Sequence, residues 1–337
     1  MSPRFTAAGG EGVASRVGAR DPEPSAGAVF HGLLSIDKPV GPTSHDVVAL
    51  VRRRFGSPGA GHLGTLDPAA SGLLVVAMGA ATRALPVWQG GEKTYQATLR
   101  LGVITHSQDM TGEVIERRAV DVDEAAVRAA ARALTGEIDQ VPPMVSALSV
   151  GGKRLHALAR RGIEVARAPR RVRVSSWEWL DMAFPEATFL VRCSAGTYVR
   201  TLVHDLGMAL GCGAALASLR RFRSEPFDLA RAVTPADLDA CSRAEVLERA
   251  GVPLDRALTV LPAVLLDAGA AASVGSGGRP AVTPGEAPIA AGPRSIVFRD
   301  GAGIALALGE LCADAVEPSR VLACPRVVFP WAVRSGR

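Results

Sequence analysis

Residues 61–72 read Gly-His-Leu-Gly-Thr-Leu-Asp-Pro-Ala-Ala-Ser-Gly, a glycine-punctuated turn that presents one carboxylate, Asp67, ahead of the apolar run Leu73-Leu74-Val75-Val76. Asp67 is thereby the candidate for chemistry. Aspartate caps helices and proline suits the first helical position, so the Asp67-Pro68 pair on its own describes a cap better than a catalyst. Its neighbours in the sequence change that balance. Upstream stands Ile36-Asp37-Lys38-Pro39-Val40-Gly41-Pro42-Thr43-Ser44, and downstream come Lys93-Thr94-Tyr95 and Cys193-Ser194-Ala195-Gly196-Thr197-Tyr198-Val199-Arg200-Thr201.

The 337 residues suffice for a real core and for two domains, at about 100–200 residues each. Five cysteines, at 193, 212, 241, 312 and 324, form no CxxC pair and leave an odd count, which points to reduced thiols rather than a zinc site or a disulfide framework. No stretch approaches the roughly 20 apolar residues of a membrane span, and the N-terminus lacks the apolar core of a signal peptide. A cytoplasmic protein without membrane association is expected. Net charge is +5, and its distribution says more than its total. Lys153, Arg154, Arg160, Arg161, Arg167, Arg170, Arg171 and Arg173 crowd one stretch opposed only by Glu164, and Arg220, Arg221 and Arg223 form a second cluster. Any one of these arginines fits a solvated face; two clusters in a basic chain point to phosphate contacts.

Residues 1–28 are rich in Gly, Ala, Ser, Pro and charge and read as a disordered leader. Gly32 to Ile36 reads as a strand, after which Thr43 or Ser44 caps a helix with Val47, Val48, Val51 and Phe55 on one face and Arg52, Arg53 and Arg54 in its last turn. From Lys93 to Leu101 apolar and polar residues alternate as in a half-buried strand, with Tyr95 in the apolar set. Asp123 opens an alanine-rich helix closed by Gly136, Ala147–Val150 is a strand, Gly151-Gly152 a turn, and Lys153–Arg161 a short helix. Arg171-Val172-Arg173-Val174 alternates, so one sheet face there is cationic, and a helical stretch runs from Thr234 to about Ala250. Beyond Leu266 the Gly, Ala and Pro content rises and short apolar runs suggest a second small domain, mostly β, in which the glycines at 275, 277 and 278 form a loop. Strands and helices mix without a regular βαβ repeat, so the fold class is α+β with a mixed, largely antiparallel sheet and flanking helices.

Arg200 is the cation that matches Asp67. Thr197 is a good N-cap, which puts Arg200 in a first helical turn, where the helix dipole disfavours it. A carboxylate partner explains such an arginine, since a guanidinium keeps an aspartate charged and fixes its geometry. The alternative is a surface arginine with its stem packed. The chain has two tyrosines, Tyr95 and Tyr198, and both fall in the quoted segments; each fits a core position or a stacking surface. His62, five residues before Asp67, fits a satisfied loop histidine or a group that fills a vacated base position.

In order and spacing these segments resemble the TruB family of pseudouridine synthases, over roughly Leu33 to Phe227. The resemblance implies isomerisation of uridine 55 in the T loop of tRNA, with no cofactor and no metal, by a monomer that needs no obligate protein partner. It implies that Asp67 is the catalytic aspartate, that Tyr95 stacks on the target base, that Tyr198 and Arg200 belong to the Gly-Thr-Tyr-x-Arg motif with Arg200 paired to the aspartate, and that Leu219 lines the base pocket. Lys38 and Pro39 match a motif backing the site, and His62 matches the histidine associated with the flipped nucleotide. Such a reaction breaks the ribose C1′ to N1 bond, rotates the base and rejoins it through C5, which requires extruding the base from its loop. Whether the carboxylate adds to C1′, adds to the ring or takes a C2′ proton stays open. Residues 29–255 would be the catalytic domain and 256–337 a small C-terminal RNA-binding domain like those called PUA. Val145, Ser149 and His156 depart from the tyrosine, lysine and tyrosine frequent in relatives, and Thr105-His106-Ser107-Gln108-Asp109 varies on Thr-Asp-Thr-x-Asp. An RNA-binding or RNA-folding module with a vestigial pocket, and action on another RNA within a guide-RNA particle, are the competing readings. Hydrolase chemistry is excluded because Ser71 and His204 lack a nucleophile-elbow context.

Overall fold

The apolar run behind the Asp67 turn becomes the strand Ala70–Met78, in which every residue but Ser71 is buried. Leu74, Val76 and Met78 enter one hydrophobic cluster while Leu73, Val75 and Ala77 enter another. The strand carries protein on both faces, which is why its sequence shows no polar alternation. In this computed structural model the described residues are 29–146, 149–150, 153–154, 163, 165–283 and 296–332. The expected leader at 1–28, the Gly151-Gly152 turn and most of the expected helix Lys153–Arg161 lie outside them, as do the side chains of Lys153, Arg154, Arg160 and Arg161.

The strand belongs to a ten-stranded sheet whose main path runs Gly251–Pro253, Gly32–Lys38, Ala70–Met78, Ala214–Ser224, Lys93–Leu101, Glu186–Cys193, Arg170–Ala183 and Gly136–Gln140. Along this path each pairing is antiparallel except that of Ala70–Met78 with Ala214–Ser224. The parallel pair matters for the site, because it sets Leu219 opposite Ala70 and Arg221 opposite Gly72, just past the Asp67 turn. A Cβ at Gly72, whose φ is +100°, would fall on the Arg221 backbone, so only glycine allows this approach. The expected alternation of Lys93–Leu101 is observed, with Lys93, Tyr95, Ala97, Leu99 and Leu101 buried.

Helix Ser44–Phe55 packs Val47, Val51 and Phe55 inward. Thr43, not Ser44, is its cap: Thr43 Oγ1 accepts from the Asp46 N–H at 3.1 Å and Asp46 Oδ2 accepts from the Thr43 N–H at 2.8 Å. Replacing Thr43 with Ala should therefore lower unfolding free energy by about 1 kcal/mol, read as an earlier urea midpoint at unchanged slope. In the last turn Arg54 donates to the carbonyls of Leu238 and Cys241 at 2.5 and 2.6 Å, a structural use for one of the three arginines.

Three local expectations are corrected. The helix opened by Asp123 ends at Ala133 with Leu134 as its cap, and Gly136, φ +93°, instead begins the strand Gly136–Gln140. The stretch 234–250 divides into Pro235–Ala240 and Arg243–Ala250, because Ser242 and Glu245 form a second capping box that apolar periodicity runs straight through. Finally, Cys312 and Cys324 are joined as a disulfide while Cys193, Cys212 and Cys241 are free. The hairpin of Ala305–Ala313 with Val321–Val328 sets Cys324 opposite Glu310, two residues from Cys312. No spacing motif announces a proximity created by strand register.

The C-terminal sheet has the order Ala263–Leu265, Ile296–Arg299, Ala305–Ala313, Val321–Val328, with helix Ala268–Gly275 against it. Gly275 thus lies in a helix rather than a loop. Val297, Leu308 and Phe329 share a cluster with Leu33, Leu73 and Val75, so this sheet covers the face of the large sheet opposite the first core. Among the described residues no helix is long and apolar enough to cross a membrane.

Candidate active site

Asp67 stands in the loop between the strands Ala60–His62 and Ala70–Met78, and this loop is tied down from two sides. Ser44 Oγ, at the start of a helix, both donates to the Leu66 carbonyl and accepts from the Leu66 N–H at 2.9 Å. The Gly41 N–H reaches the Pro68 carbonyl at 2.8 Å. On the inner side Arg221 donates to the carbonyls of Gly64 at 3.1 Å and Leu73 at 2.7 Å, bridging the loop to the strand that follows it. The backbone of Asp67 is consequently fixed by the ties of its loop, independently of the contact its side chain makes.

Opposite lies helix Val199–Ala209, whose cap is Tyr198 and not Thr197. No side chain of the turn caps it. The buried Gln140 does that work from another strand, accepting from the Tyr198 N–H at 2.8 Å and donating to the Tyr198 carbonyl at 3.1 Å. Arg200 still falls in the first turn, and at 4% exposure it is buried. Its Nε lies 3.0 Å from Asp67 Oδ2, its Nη1 donates to the Ser107 carbonyl at 2.9 Å, and its Nη2 donates to the Val145 carbonyl at 2.8 Å. Asp109 Oδ2 lies 3.8 Å from Nη1 and is itself oriented by bonds from Ser107 and Thr111 to Oδ1. Two carbonyls and two carboxylates offset the unfavourable dipole, and they aim one edge of the guanidinium at Asp67.

Between loop and helix opens a cavity of about 250 Å³ lined by Asp67, Tyr95, Tyr198, Arg200 and Leu219, together with Gly64, Thr65, Leu66, Lys93, Ser146, Gly196, Thr197, Val199 and Arg221. Five of the seven residues singled out from sequence meet here. Register explains the floor: Tyr95 pairs with Arg221 and Ala97 with Leu219 across adjacent strands. Burial pushes the phenols of Tyr95 and Tyr198 above their ordinary values, against the opposing influence of Arg221 on the first and Arg200 on the second. Both rings therefore stay neutral near pH 7 and present aromatic faces.

The other two residues lie outside the lining. Lys38 is wholly buried behind the site, its ammonium donating to the carbonyls of Pro39 at 2.8 Å and Pro42 at 2.9 Å. Desolvation lowers its pKa, with Asp67 nearby pulling the other way. His62 packs edge-on to His45, ring centroids 5.5 Å apart, and burial lowers its pKa first, followed by His45 and Arg221. Sequence reasoning missed Gln140, Lys93 and Arg221. It had assigned Arg221 to a surface cluster, yet its side chain is 1% exposed. Nothing local in the sequence marks it; in the structure Gly72, inside the strand Ala70–Met78, leaves room for the Arg221 backbone. Among the described residues no group of His, Cys, Asp and Glu has the arrangement of a metal site.

The site can hold one planar group, between aromatic rings, against a carboxylate in contact with a guanidinium. Comparison with known proteins adds the following. The description "TruB family pseudouridylate synthase (N terminal domain)" matches residues 52–199, and "tRNA pseudouridylate synthase B C-terminal domain" matches residues 200–259. A tRNA pseudouridine synthase B from Burkholderia mallei is 48% identical over 237 residues, covering 70% of this chain and 78% of that protein. One from Opitutus terrae is 46% identical over 219 residues, covering 65% and 91%. Among solved structures, that of a Cbf5-Nop10-Gar1 complex matches with a TM-score of 0.64 at 32% identity, covering 83% of this chain and 78% of the other. An archaeal box H/ACA sRNP Nop10-Cbf5 complex matches with a TM-score of 0.65 at 28% identity, covering 90% and 88%.

Proposed function

The chain belongs to the TruB family of pseudouridylate synthases, and from that premise we propose that it isomerises uridine 55 in the T loop of tRNA to pseudouridine, with Asp67 as the catalytic carboxylate. The observation that carries this is the 3.0 Å contact of Arg200 Nε with Asp67 Oδ2 at the mouth of a cavity floored by Tyr95 and Leu219. Uridine has to leave its loop for its C1′ to reach Asp67, and a cavity of about 250 Å³ suits one extruded nucleoside, near the lower end of ligand sites at roughly 300 Å³. Tyr95 stacks on the base, Leu219 packs against its edge, and Tyr198 closes the opposite wall. His62 fills the position the base leaves, and Lys38 braces the loop from behind.

Residues 29–255 act as the catalytic domain and 256–337 as a small PUA-like RNA-binding domain. The protein works as a cytoplasmic monomer, without cofactor, metal or obligate protein partner. Arg173, Arg220 and Arg223 supply charge for the tRNA backbone, although Arg220 also pairs with Asp37 at 2.7 Å. Binding of tRNA should weaken linearly on a log–log plot against salt, by a slope of about 0.9 for each duplex phosphate neutralised. A filter-binding titration that showed no salt dependence would remove the basic surface from the proposal. The test of the whole reading is incubation of purified protein, with nothing added, with an unmodified tRNA transcript, followed by mapping of pseudouridine. New pseudouridine at position 55 supports it; a transcript left unchanged, or modified elsewhere only, overturns it.

A further inference from the structure

Two cations on the floor of the cavity have no anionic partner among the described residues. Lys93 is 8% exposed and Arg221 1%, and both crowd Gly64, where a Cβ would stand 3.6 Å from Lys93 Cε and 3.7 Å from Arg221 Nη1. Arg221 donates to three backbone carbonyls, those of Gly64, Thr65 and Leu73. Lys93 donates to one, that of Gly91 at 3.1 Å, which leaves two of its three N–H groups for something else. Among the described residues neither cation is in an ion pair, whereas Arg200 meets both Asp67 and Asp109.

Burying an ammonium beside a guanidinium without a counter-charge is unfavourable, since each disfavours the other and both lose water. Burial and Arg221 indeed lower the Lys93 pKa, in that order. Packing alone does not require the arrangement, because a neutral side chain of similar length would fill the same space. A cation held in this way answers to negative charge brought by a ligand or created during its reaction.

We propose that Lys93, seconded by Arg221, is a further catalytic group, which stabilises the negative charge that appears on the uracil ring when its bond to ribose breaks. The proposal rests on the pseudouridine synthase reading. As the C1′–N1 bond breaks, its electron pair stays on the base and spreads over N1, O2 and O4. This holds whether Asp67 adds to C1′ or takes the C2′ proton. The anion then turns and C5 bonds to C1′, releasing the Asp67 carboxylate where it had added there, or with the proton held by Asp67 returning to C2′ where it had been taken; the C5 proton is lost and N1 gains one, so that atoms and charge balance with no co-reactant. Lys93 donates to a ring carbonyl oxygen, and it donates most strongly when that oxygen carries the charge.

The test uses the whole protein at saturating concentration over a tRNA transcript, under single-turnover conditions. Lys93→Met is expected to slow the reaction by about 100-fold or more, with transcript affinity within about threefold of the unaltered protein. Lys93→Arg, which keeps the charge, should recover most of that loss. A transcript carrying 5-fluorouridine at the target releases a more acidic base, so the penalty of Lys93→Met on cleavage of its C1′–N1 bond should shrink. If the Met variant loses cooperative melting, Lys93→Gln, which keeps a donor for the Gly91 carbonyl, replaces it. A rate within about threefold of normal, or a loss confined to affinity as a phosphate contact would give, overturns the proposal. If the unaltered protein makes no pseudouridine, it is the assignment of function that fails, and the two failures are distinct.

Discussion

Purified Asp67→Ala protein is expected to form no measurable pseudouridine in a transcript that the unaltered protein modifies, a loss of about 10⁴-fold or more, as when a catalytic nucleophile is removed. Transcript affinity should stay nearly unchanged. The Asp67 side chain is 42% exposed and accepts one charged contact, so its removal leaves Arg200 anchored on the Ser107 and Val145 carbonyls and beside Asp109. The loop also keeps its ties to Ser44, Gly41 and Arg221. Asp67→Asn is the sharper control, because it preserves size and an acceptor and removes only the charge. It should be as inactive as the alanine variant, as judged by nucleoside chromatography of the digested transcript. Turnover of either variant within about tenfold of normal would end the assignment of Asp67 as the reacting group.

Arg200→Met should lower the single-turnover rate by about 10²–10³-fold, the usual loss when a donor aimed at a reacting charge is removed. Stability falls as well. The Ser107 and Val145 carbonyls lose their donor inside the protein, and Asp109 loses its neighbouring charge. An unsatisfied buried acceptor costs about 1–3 kcal/mol, while the contact to the half-exposed Asp67 adds little once solvent screens it. Urea unfolding should therefore show a midpoint shift at unchanged slope, alongside the kinetic loss. The two effects separate at low temperature, where the variant is folded and its remaining defect is chemical. A variant that is less stable yet reacts at the normal rate would leave Arg200 a structural residue only.

Much of this was legible from residues alone. The alternation at 93–101 specified a strand and put Tyr95 in its buried set, the Thr43 cap opened a helix at the right place, and the turn at 61–72 singled out Asp67. These are local properties, set by the two-residue period of a strand or by capping within one turn of helix. The failures share a cause. Thr197 has the right side chain for a cap, but Gln140, 58 residues away, holds the Tyr198 backbone instead. Cys312 and Cys324 meet through hairpin register, and Ser242 interrupts a helix whose apolar period continues across it.

Arg221 shows the boundary most clearly. Its neighbours Arg220 and Arg223 invite a reading of all three as surface charge, yet the pairing of Ala214–Ser224 with Lys93–Leu101 slips between Arg221 and Arg223. A bulge of this kind re-aims side chains, and Gly72 leaves room for the Arg221 backbone to approach. The sequence alone determined which carboxylate, which rings and which family words the chain carries, because those are matters of residue identity and short-range period. Tertiary structure decided which cations face solvent and which face the cavity, because that depends on strands brought together from positions 64, 93 and 221, and no local pattern encodes who the neighbours are.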